Sequence, residues 1–157
     1  MRVLKSLLAS AALVVAGIAL AQDEGETLFQ SNCAACHQAN GQGVPGAFPP
    51  LAGHVPELLA TEEGRTYLIH VVLYGLQGEI QVAGQTYNGV MPAWSQFTDE
   101  QLAAVLDFVA TSWDNEAALP EGFAPFTAEE IAAQRDLGLT ADQVHEERSG
   151  AVPAEGQ

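Results

Sequence analysis

The chain has 157 residues and a mass of 16.5 kDa, enough for one small domain and a leader but too little for two ordinary domains. Five basic residues face twenty acidic ones, and the formal net charge is -15. Nucleic acid and anionic membranes are therefore poor partners, because both are bound through Lys and Arg. The hydrophobic fraction of 48% is high enough for a packed core.

Residues 1–21 have the layout of a secretory signal peptide. Arg2 and Lys5 form a basic start, and an apolar run of 14 residues follows from Leu7 to Leu20. The run is shorter than the roughly 20 residues that a membrane-spanning helix needs. We predict cleavage after Ala21 and a periplasmic mature chain without a stable membrane insertion; an uncleaved anchor is the alternative. The mature chain keeps three arginines against twenty acids, a net charge of -17, and no lysine.

The next predicted element is a short helix from about Glu24 to Asn32, which leads into the sequence Cys33-Ala34-Ala35-Cys36-His37. Cys-x-x-Cys-His is the pattern for attachment of c-type haem, in which both thiols bond to the haem vinyl groups and the histidine is an axial iron ligand. Cys33, Cys36 and His37 therefore predict one covalently attached haem.

Three other interpretations of the two cysteines compete with haem attachment. A thioredoxin-like motif needs a βαβ context that the sequence lacks. A zinc site needs two further ligands at paired spacing, whereas His54, His70 and His145 are scattered. A disulfide between Cys33 and Cys36 is possible in an exported chain, but it leaves the adjoining histidine unexplained.

A second helix is predicted from a cap at Thr61 to about Leu76, and its apolar segment indicates a buried element. His70 lies within that segment, where a hydrogen-bonded core histidine is the expected role. Ile80 and Val82 then alternate with polar residues before Gly84, which predicts a small β-hairpin.

Met91 is the predicted second axial ligand. Met1 leaves with the leader and both cysteines are used, so Met91 alone can supply a thioether. It lies in a Gly- and Pro-containing loop, Asn88-Gly89-Val90-Met91-Pro92, which is a poor place for a methionine that only fills the core. His54 and His70 are the rival ligands.

A third long helix is predicted to begin at a capping box, Thr98-Asp99-Glu100-Gln101. Its apolar residues recur at helical spacing and form one stripe. They are Leu102, Val105, Leu106, Val109 and Trp113.

The chain after residue 116 is predicted to form a helical extension, residues 117–150, followed by a disordered tail, residues 151–157. Capping boxes at Thr127 and Thr140 each open a short helix. Such helices have little stability alone, so we expect them to dock on residues 22–116 through apolar side chains. The predicted docking residues are Phe123, Phe126, Ile131, Leu137 and Leu139. A mobile acidic tail is the alternative.

From about Glu24 to Trp113 the chain resembles the class I monohaem cytochromes c. The resemblance rests on the haem motif, on Phe48-Pro49-Pro50-Leu51-Ala52-Gly53, on Asn88 to Pro92 and on the closing helix. Features such as Tyr74-Gly75-Leu76-Gln77-Gly78 and the tail from Gly122 are similar to the extended thermophile-type soluble members, which donate electrons to a terminal haem-copper oxidase. Those members carry many lysines, whereas this mature chain has none.

The resemblance implies an all-α fold around one covalent haem, with a small β-hairpin before the methionine loop. The closing helix would cross the first helix, and Gly25 would let the two approach closely. Pro49 or Pro50 would accept a hydrogen bond from His37, Asn88 would lie near the Met91 sulfur, and Trp94 near a haem propionate.

The function implied is a monomeric one-electron carrier that is not an enzyme. Its donor would be a quinol-oxidising complex or a dehydrogenase, and its acceptor a terminal haem-copper oxidase or the copper subunit of one. Two alternatives remain: a haem-based sensor or peroxidase-like protein with a displaceable Met91, and an exported protein without haem.

The acidic residues avoid two segments of the chain. Neither residues 27–56, which contain the haem motif, nor residues 80–98, which contain Met91, hold any Asp, Glu, Lys or Arg. We therefore expect an apolar rim around the haem edge, formed by Val44, Phe48, Val90 and Ala93, and brief, mainly hydrophobic docking there.

Overall fold

A computed structural model describes residues 23–152 as a mostly helical molecule with two small antiparallel strand pairs. The predicted leader and the last five residues of the predicted tail lie outside the described residues. Among the described residues, no helix is both long and apolar enough to cross a membrane.

The five predicted helices form in the predicted order, and the described residues contain two further helices of four residues each. Helix α1 covers residues 23–32, and the others are α2 (Ala34–His37), α3 (Val55–Leu58), α4 (Glu62–Tyr74), α5 (Asp99–Thr111), α6 (Ala128–Arg135) and α7 (Ala141–Ala151). A 3₁₀ turn spans Asn115–Ala118. The threonines at 61, 98, 127 and 140 all accept a backbone N–H as N-caps, as predicted.

Four short strands lie between α4 and α5. The predicted hairpin forms from β2 (Ile80–Val82) and β3 (Gln85–Tyr87). A second pair joins β1 (Leu76–Gln77) to β4 (Val90–Met91), and the sequence analysis did not foresee it. Helix α4 ends at Tyr74, two residues before the predicted end, because Gly75 has φ +80 and turns the chain into β1.

Buried apolar side chains of α1, α3, α4, α5, α6 and α7 form one core cluster. Gly25 meets the backbone of Ala104 so closely that a Cβ would clash with its carbonyl, which confirms the predicted close approach of the first and closing helices. Phe29 is fully buried in α1 and contacts the rings of Phe108 and Trp113, at centroid distances of 5.4 and 5.0 Å. This aromatic cluster locks the helix before the haem motif against the end of α5.

Residues 117–152, the C-terminal extension, pack on the rest of the molecule, with α7 against α4 and β1 and α6 against α5. Phe126 and Ile131 are buried, and Phe123 and Leu139 are partly buried against the core. Val144, which the sequence analysis did not single out, is also fully buried.

Two expectations about the extension were wrong. Leu137 does not dock: it follows the end of α6, and 53% of its surface is exposed. Ala151 and Val152 were placed in a disordered tail, but both are buried. Helix α7 continues to Ala151, whose carbonyl accepts a hydrogen bond from Thr61 Oγ1 at 3.3 Å at the start of α4.

Candidate functional site

One apolar cleft brings together residues of the uncharged segments 27–56 and 80–98, and Leu76 and Gly78 also line it. Its lining contains no Asp, Glu, Lys or Arg. One wall holds Asn32, Cys33, Cys36, His37, Ala47, Phe48 and Pro49. The other holds Leu76, Gly78, Ile80, Tyr87, Gly89, Val90, Met91, Pro92 and Trp94.

The haem motif lies at the start of the cleft. Helix α1 ends just before Cys33, and the short helix α2 carries the remaining residues of the motif. The backbone N–H groups of Cys36 and His37 both donate to Cys33 O, at 3.1 and 2.9 Å. This single helical turn therefore places both thiols and the imidazole along one wall of the cleft.

His37 is held by a backbone carbonyl. It is 8% exposed, and its Nδ1–H donates to Pro49 O at 2.9 Å, so Nε2 is the nitrogen that remains for coordination. Burial lowers the pKa of His37, and the bond to Pro49 opposes that effect in part. The imidazole is thus kept neutral, which is the form that binds a metal.

The thiols do not have the features of a redox-active pair. Burial raises the pKa of the Cys33 thiol to about 11, with a further contribution from the charge of Cys36. A redox-active Cys-x-x-Cys pair has a lowered thiol pKa, so this environment argues against the thioredoxin-like interpretation. The two cysteines are free rather than joined in a disulfide.

A zinc interpretation finds no support in residues 23–152, where no group of three or more Cys, His, Asp or Glu residues is arranged to hold a metal. The donors present are two thiols, one imidazole and one thioether, and all four line the same apolar cleft. This donor set fits a c-type haem.

Met91 lies in β4 on the wall formed by residues 76–94, and it is half-buried. Its backbone pairs with Leu76 of β1. The next turn is fixed to α4 because Trp94 N–H donates to Val72 O at 2.8 Å. Trp94 lines the cleft and stacks on Phe97 at a centroid distance of 5.4 Å.

The rival ligands His54 and His70 lie away from the cleft. His54 Nδ1–H donates to Glu57 Oε2 at 2.9 Å, and Nε2 accepts from Arg148 at 3.3 Å. His70 is a hydrogen-bonded core residue, as predicted: its Nδ1–H donates to Glu147 Oε2 at 2.7 Å.

Two predicted pocket residues are not brought into the cleft. Pro50 and Asn88 are absent from its lining, and Asn88 is exposed on the turn between β3 and β4. The carbonyl that His37 uses is that of Pro49. The predicted pocket roles of Pro50 and Asn88 therefore stay predictions.

Asn115, which was not predicted as a site residue, is 1% exposed and holds the loop after the haem motif. Its Oδ1 accepts from Gly53 N–H at 2.7 Å, and its Nδ2 donates to Leu51 O at 3.3 Å and to Val109 O at 2.8 Å. All three partners are backbone groups remote in sequence or on another element, so no local motif indicates this role.

Comparisons with known proteins find a family model and several relatives that match the chain. The family model described as cytochrome c matches residues 22–113. The chain is 57% identical over 136 residues to a cytochrome c-552 of Thermus thermophilus, covering 87% of this chain and 90% of that protein. It is 33% identical over 116 residues to the cytochrome c subunit of a quinone alcohol dehydrogenase from Gluconacetobacter polyoxogenes, covering 73% of this chain but 23% of that subunit.

Proposed function

The chain belongs to the cytochrome c family as a class I monohaem member of the thermophile type, and we propose that it carries electrons as a six-coordinate His/Met protein. The family makes it an electron carrier with one covalently attached c-type haem. When bound, the haem supplies an iron that gains and loses one electron.

The proposed roles of the residues follow from the two walls of the cleft. Cys33 and Cys36 would hold the haem through thioether bonds, and His37 and Met91 would be the ligands of its iron. Pro49 orients the imidazole through its carbonyl and strengthens it as a ligand. Met ligation and a dry, apolar pocket both favour the reduced state and raise the potential.

The single observation that carries this proposal is the common cleft. His37 and Met91 are 54 positions apart in the sequence, yet both line a cleft that contains no Asp, Glu, Lys or Arg. With all six positions of the iron filled, no site remains for a substrate. We therefore propose an electron carrier and not an enzyme.

We propose that partners dock at the rim of the cleft. Val44 and Val90 are exposed by 37% and 67%, and Ala93 is also exposed, whereas Phe48 is partly buried. This apolar rim suits brief docking to an apolar patch on a partner. The proposed acceptor is a terminal haem-copper oxidase or its copper subunit, and the proposed donor is a quinol-oxidising complex or a dehydrogenase; the carrier acts as a monomer.

We also propose export to the periplasm with cleavage after Ala21. The basic start, the short apolar run and the small residues before Gln22 support this proposal. The intact mass of the haem protein purified from the periplasm tests it. A mass that includes residues 1–21 would contradict cleavage.

The visible and near-infrared spectra of wild type and Met91→Ala test the ligand assignment. We expect both proteins to give a pyridine haemochrome of the c type, and only wild type to show the weak sulfur-to-iron charge-transfer band. Identical spectra would remove Met91 from the iron. Prompt carbon monoxide binding by ferrous wild type would favour a sensor or peroxidase-like protein, and absence of a c-type haemochrome would exclude haem attachment.

A further inference from the structure

The strand that carries Met91 is held by a very short partner. β4 and β1 contain two residues each, with Leu76 opposite Met91 and Gln77 opposite Val90. An isolated pair of strands is marginally stable in water even when it is longer than this. The position of Met91 therefore depends on what holds β1.

On its N-terminal side, β1 is held by α4. Gly75 has φ +80, and a Cβ at this position would lie 2.6 Å from Met91 O and 3.0 Å from Ala93 N. The junction between α4 and β1 thus fits directly against the backbone of the methionine loop. A side chain at Gly75 would displace that backbone or distort the junction.

On its C-terminal side, β1 is held by α7 of the C-terminal extension. Gly78 has φ +130 and packs beneath the ring of His145, so closely that a Cβ would lie 2.6 Å from Cδ2 of the imidazole. His145 Nε2–H donates to Glu79 O at 2.6 Å, and Arg148 donates to Gln81 O at 2.8 Å. Helix α7 therefore binds the carbonyl of Glu79, between β1 and β2, and the carbonyl of Gln81 within β2.

Gly78 connects these contacts to the cleft. It lines the cleft with one part of its backbone while His145 covers another. The turn of Gly78 and Glu79 directly follows β1, so its position sets the position of the strand that pairs with Met91. A contiguous path of packed and hydrogen-bonded groups thus runs from α7 through β1 to β4.

We propose that His145 is a positioning residue for the Met91 ligand. It fixes the turn after β1, and through the β1–β4 pair it keeps the Met91 sulfur at the iron. This inference rests on the proposed ligation by Met91. The extension accordingly tunes the haem ligand set, in addition to covering the core.

The test uses His145→Ala in the full-length haem protein, with His145→Gln as the conservative variant, since a Gln amide can also donate to Glu79 O. Arg65→Gln is the matched control: Arg65 fastens the extension through Glu130, Ala124 and Pro125, and none of these belongs to β1 or β4. The readouts are the sulfur-to-iron band, the reduction potential and the rate at which carbon monoxide binds the ferrous protein.

We expect His145→Ala to weaken the band, lower the potential and speed carbon monoxide binding by about five- to tenfold, the change that loss of one hydrogen bond would give in the population with Met91 displaced. His145→Gln should recover most of the wild-type behaviour. Arg65→Gln should lower the melting temperature and leave all three readouts unchanged.

Two results separate the inference from the proposed function. If wild type shows the band, Met91→Ala lacks it, and His145→Ala changes only the melting temperature, the positioning role is overturned while the ligand assignment stands. If Arg65→Gln shifts the band as much as His145→Ala does, the effect is general loosening, and the specific role of His145 is overturned. If Met91→Ala and wild type are identical, the ligand assignment fails, and the positioning role fails with it.

Discussion

The cleft and the interface between the C-terminal extension and the rest of the molecule differ in their charged side chains. The cleft is lined without a single Asp, Glu, Lys or Arg, whereas all three arginines of residues 23–152 lie at the extension interface. Arg65 of α4 binds Glu130, and Arg135 of α6 binds Asp99 at 2.7 Å. Arg148 of α7 binds Gln81 O.

Histidines at the interface follow the same pattern. His70 of α4 pairs with Glu147 of α7, and His145 of α7 binds Glu79 O. Arg65, Arg135 and Arg148 thus help to fasten the C-terminal extension to the rest of the molecule. The cleft lining, in contrast, contains no Asp, Glu, Lys or Arg, which suits the proposed docking without fixed ion pairs.

The largest effect on stability is expected from apolar truncation at the interface. Ile131 is fully buried, so Ile131→Ala should lower the free energy of unfolding by about 2 to 5 kcal/mol. Leu137→Ala is the matched control on the same segment and should change it by less than about 0.5 kcal/mol, because that side chain is largely exposed. Chemical denaturation measures both; equal losses would mean that the extension does not pack as described.

A smaller loss is expected from Arg65→Gln. The guanidinium makes two bonds to Glu130, two to the carbonyls of Ala124 and Pro125, and stacks 3.9 Å from the Phe126 ring centroid. Removing the charge should cost about 2 kcal/mol of the free energy of unfolding. A loss that vanishes in concentrated salt would show that the arginine acts only as a screened surface charge.

Asp107 makes the interface sensitive to pH. Burial raises the pKa of this carboxyl to about 6, although the N–H of Phe126, which donates to Oδ1 at 2.7 Å, opposes the shift. Because the pKa is raised, folding favours the protonated form of this carboxyl. Its contribution to the free energy of unfolding is therefore fully present below about pH 4 and is lost as the pH rises through about 6.

Asp107→Asn keeps the acceptor for Phe126 and removes the charge. Compared with wild type, it should be more stable at pH 8, by less than about 1 kcal/mol because the group is partly exposed. The advantage should disappear between pH 6 and pH 4 in thermal denaturation experiments. An advantage that does not depend on pH would contradict the assigned titration.

The smallest effect on stability, and the clearest effect on function, is expected at the rim of the cleft. Val90 is 67% exposed, so Val90→Glu should change the free energy of unfolding by less than about 0.5 kcal/mol. It should nevertheless slow electron transfer to an oxidase several-fold, because docking would bury the new charge. Ala133→Glu places the same charge at an exposed position of α6 and should leave the rate unchanged. Equal slowing by the two variants would indicate long-range repulsion between the added charge and the oxidase instead.

Features set by local hydrogen bonding could be predicted from the sequence. Each helix cap needs only residues that are close in the sequence, because the threonine side chain accepts the backbone N–H three residues later. This holds for the caps at Thr61, Thr98, Thr127 and Thr140. The haem motif is equally local, since one helical turn places its three side chains on the same wall.

Features that join distant segments could not be predicted. The β1–β4 pair contains only two residues in each strand, too few for an alternating pattern. Arg135 donates to the carbonyls of Ser95 and Phe97, and every residue type offers the same carbonyl, so the sequence carries no sign of that choice. Leu137 was misplaced for a related reason: apolar spacing shows which side chains favour burial but not where α6 ends.

The central claim is that charged side chains fasten the C-terminal extension, whereas partners dock at the apolar rim of the cleft. The dependence of the electron-transfer rate on ionic strength tests it most directly. The measurement uses wild type and the copper-bearing domain of a haem-copper oxidase, between about 0.05 and 0.5 M salt. Docking through the apolar rim predicts a change of about threefold or less. A steep fall, of about tenfold or more, would show that a basic partner binds the acidic surface directly, and would contradict the account.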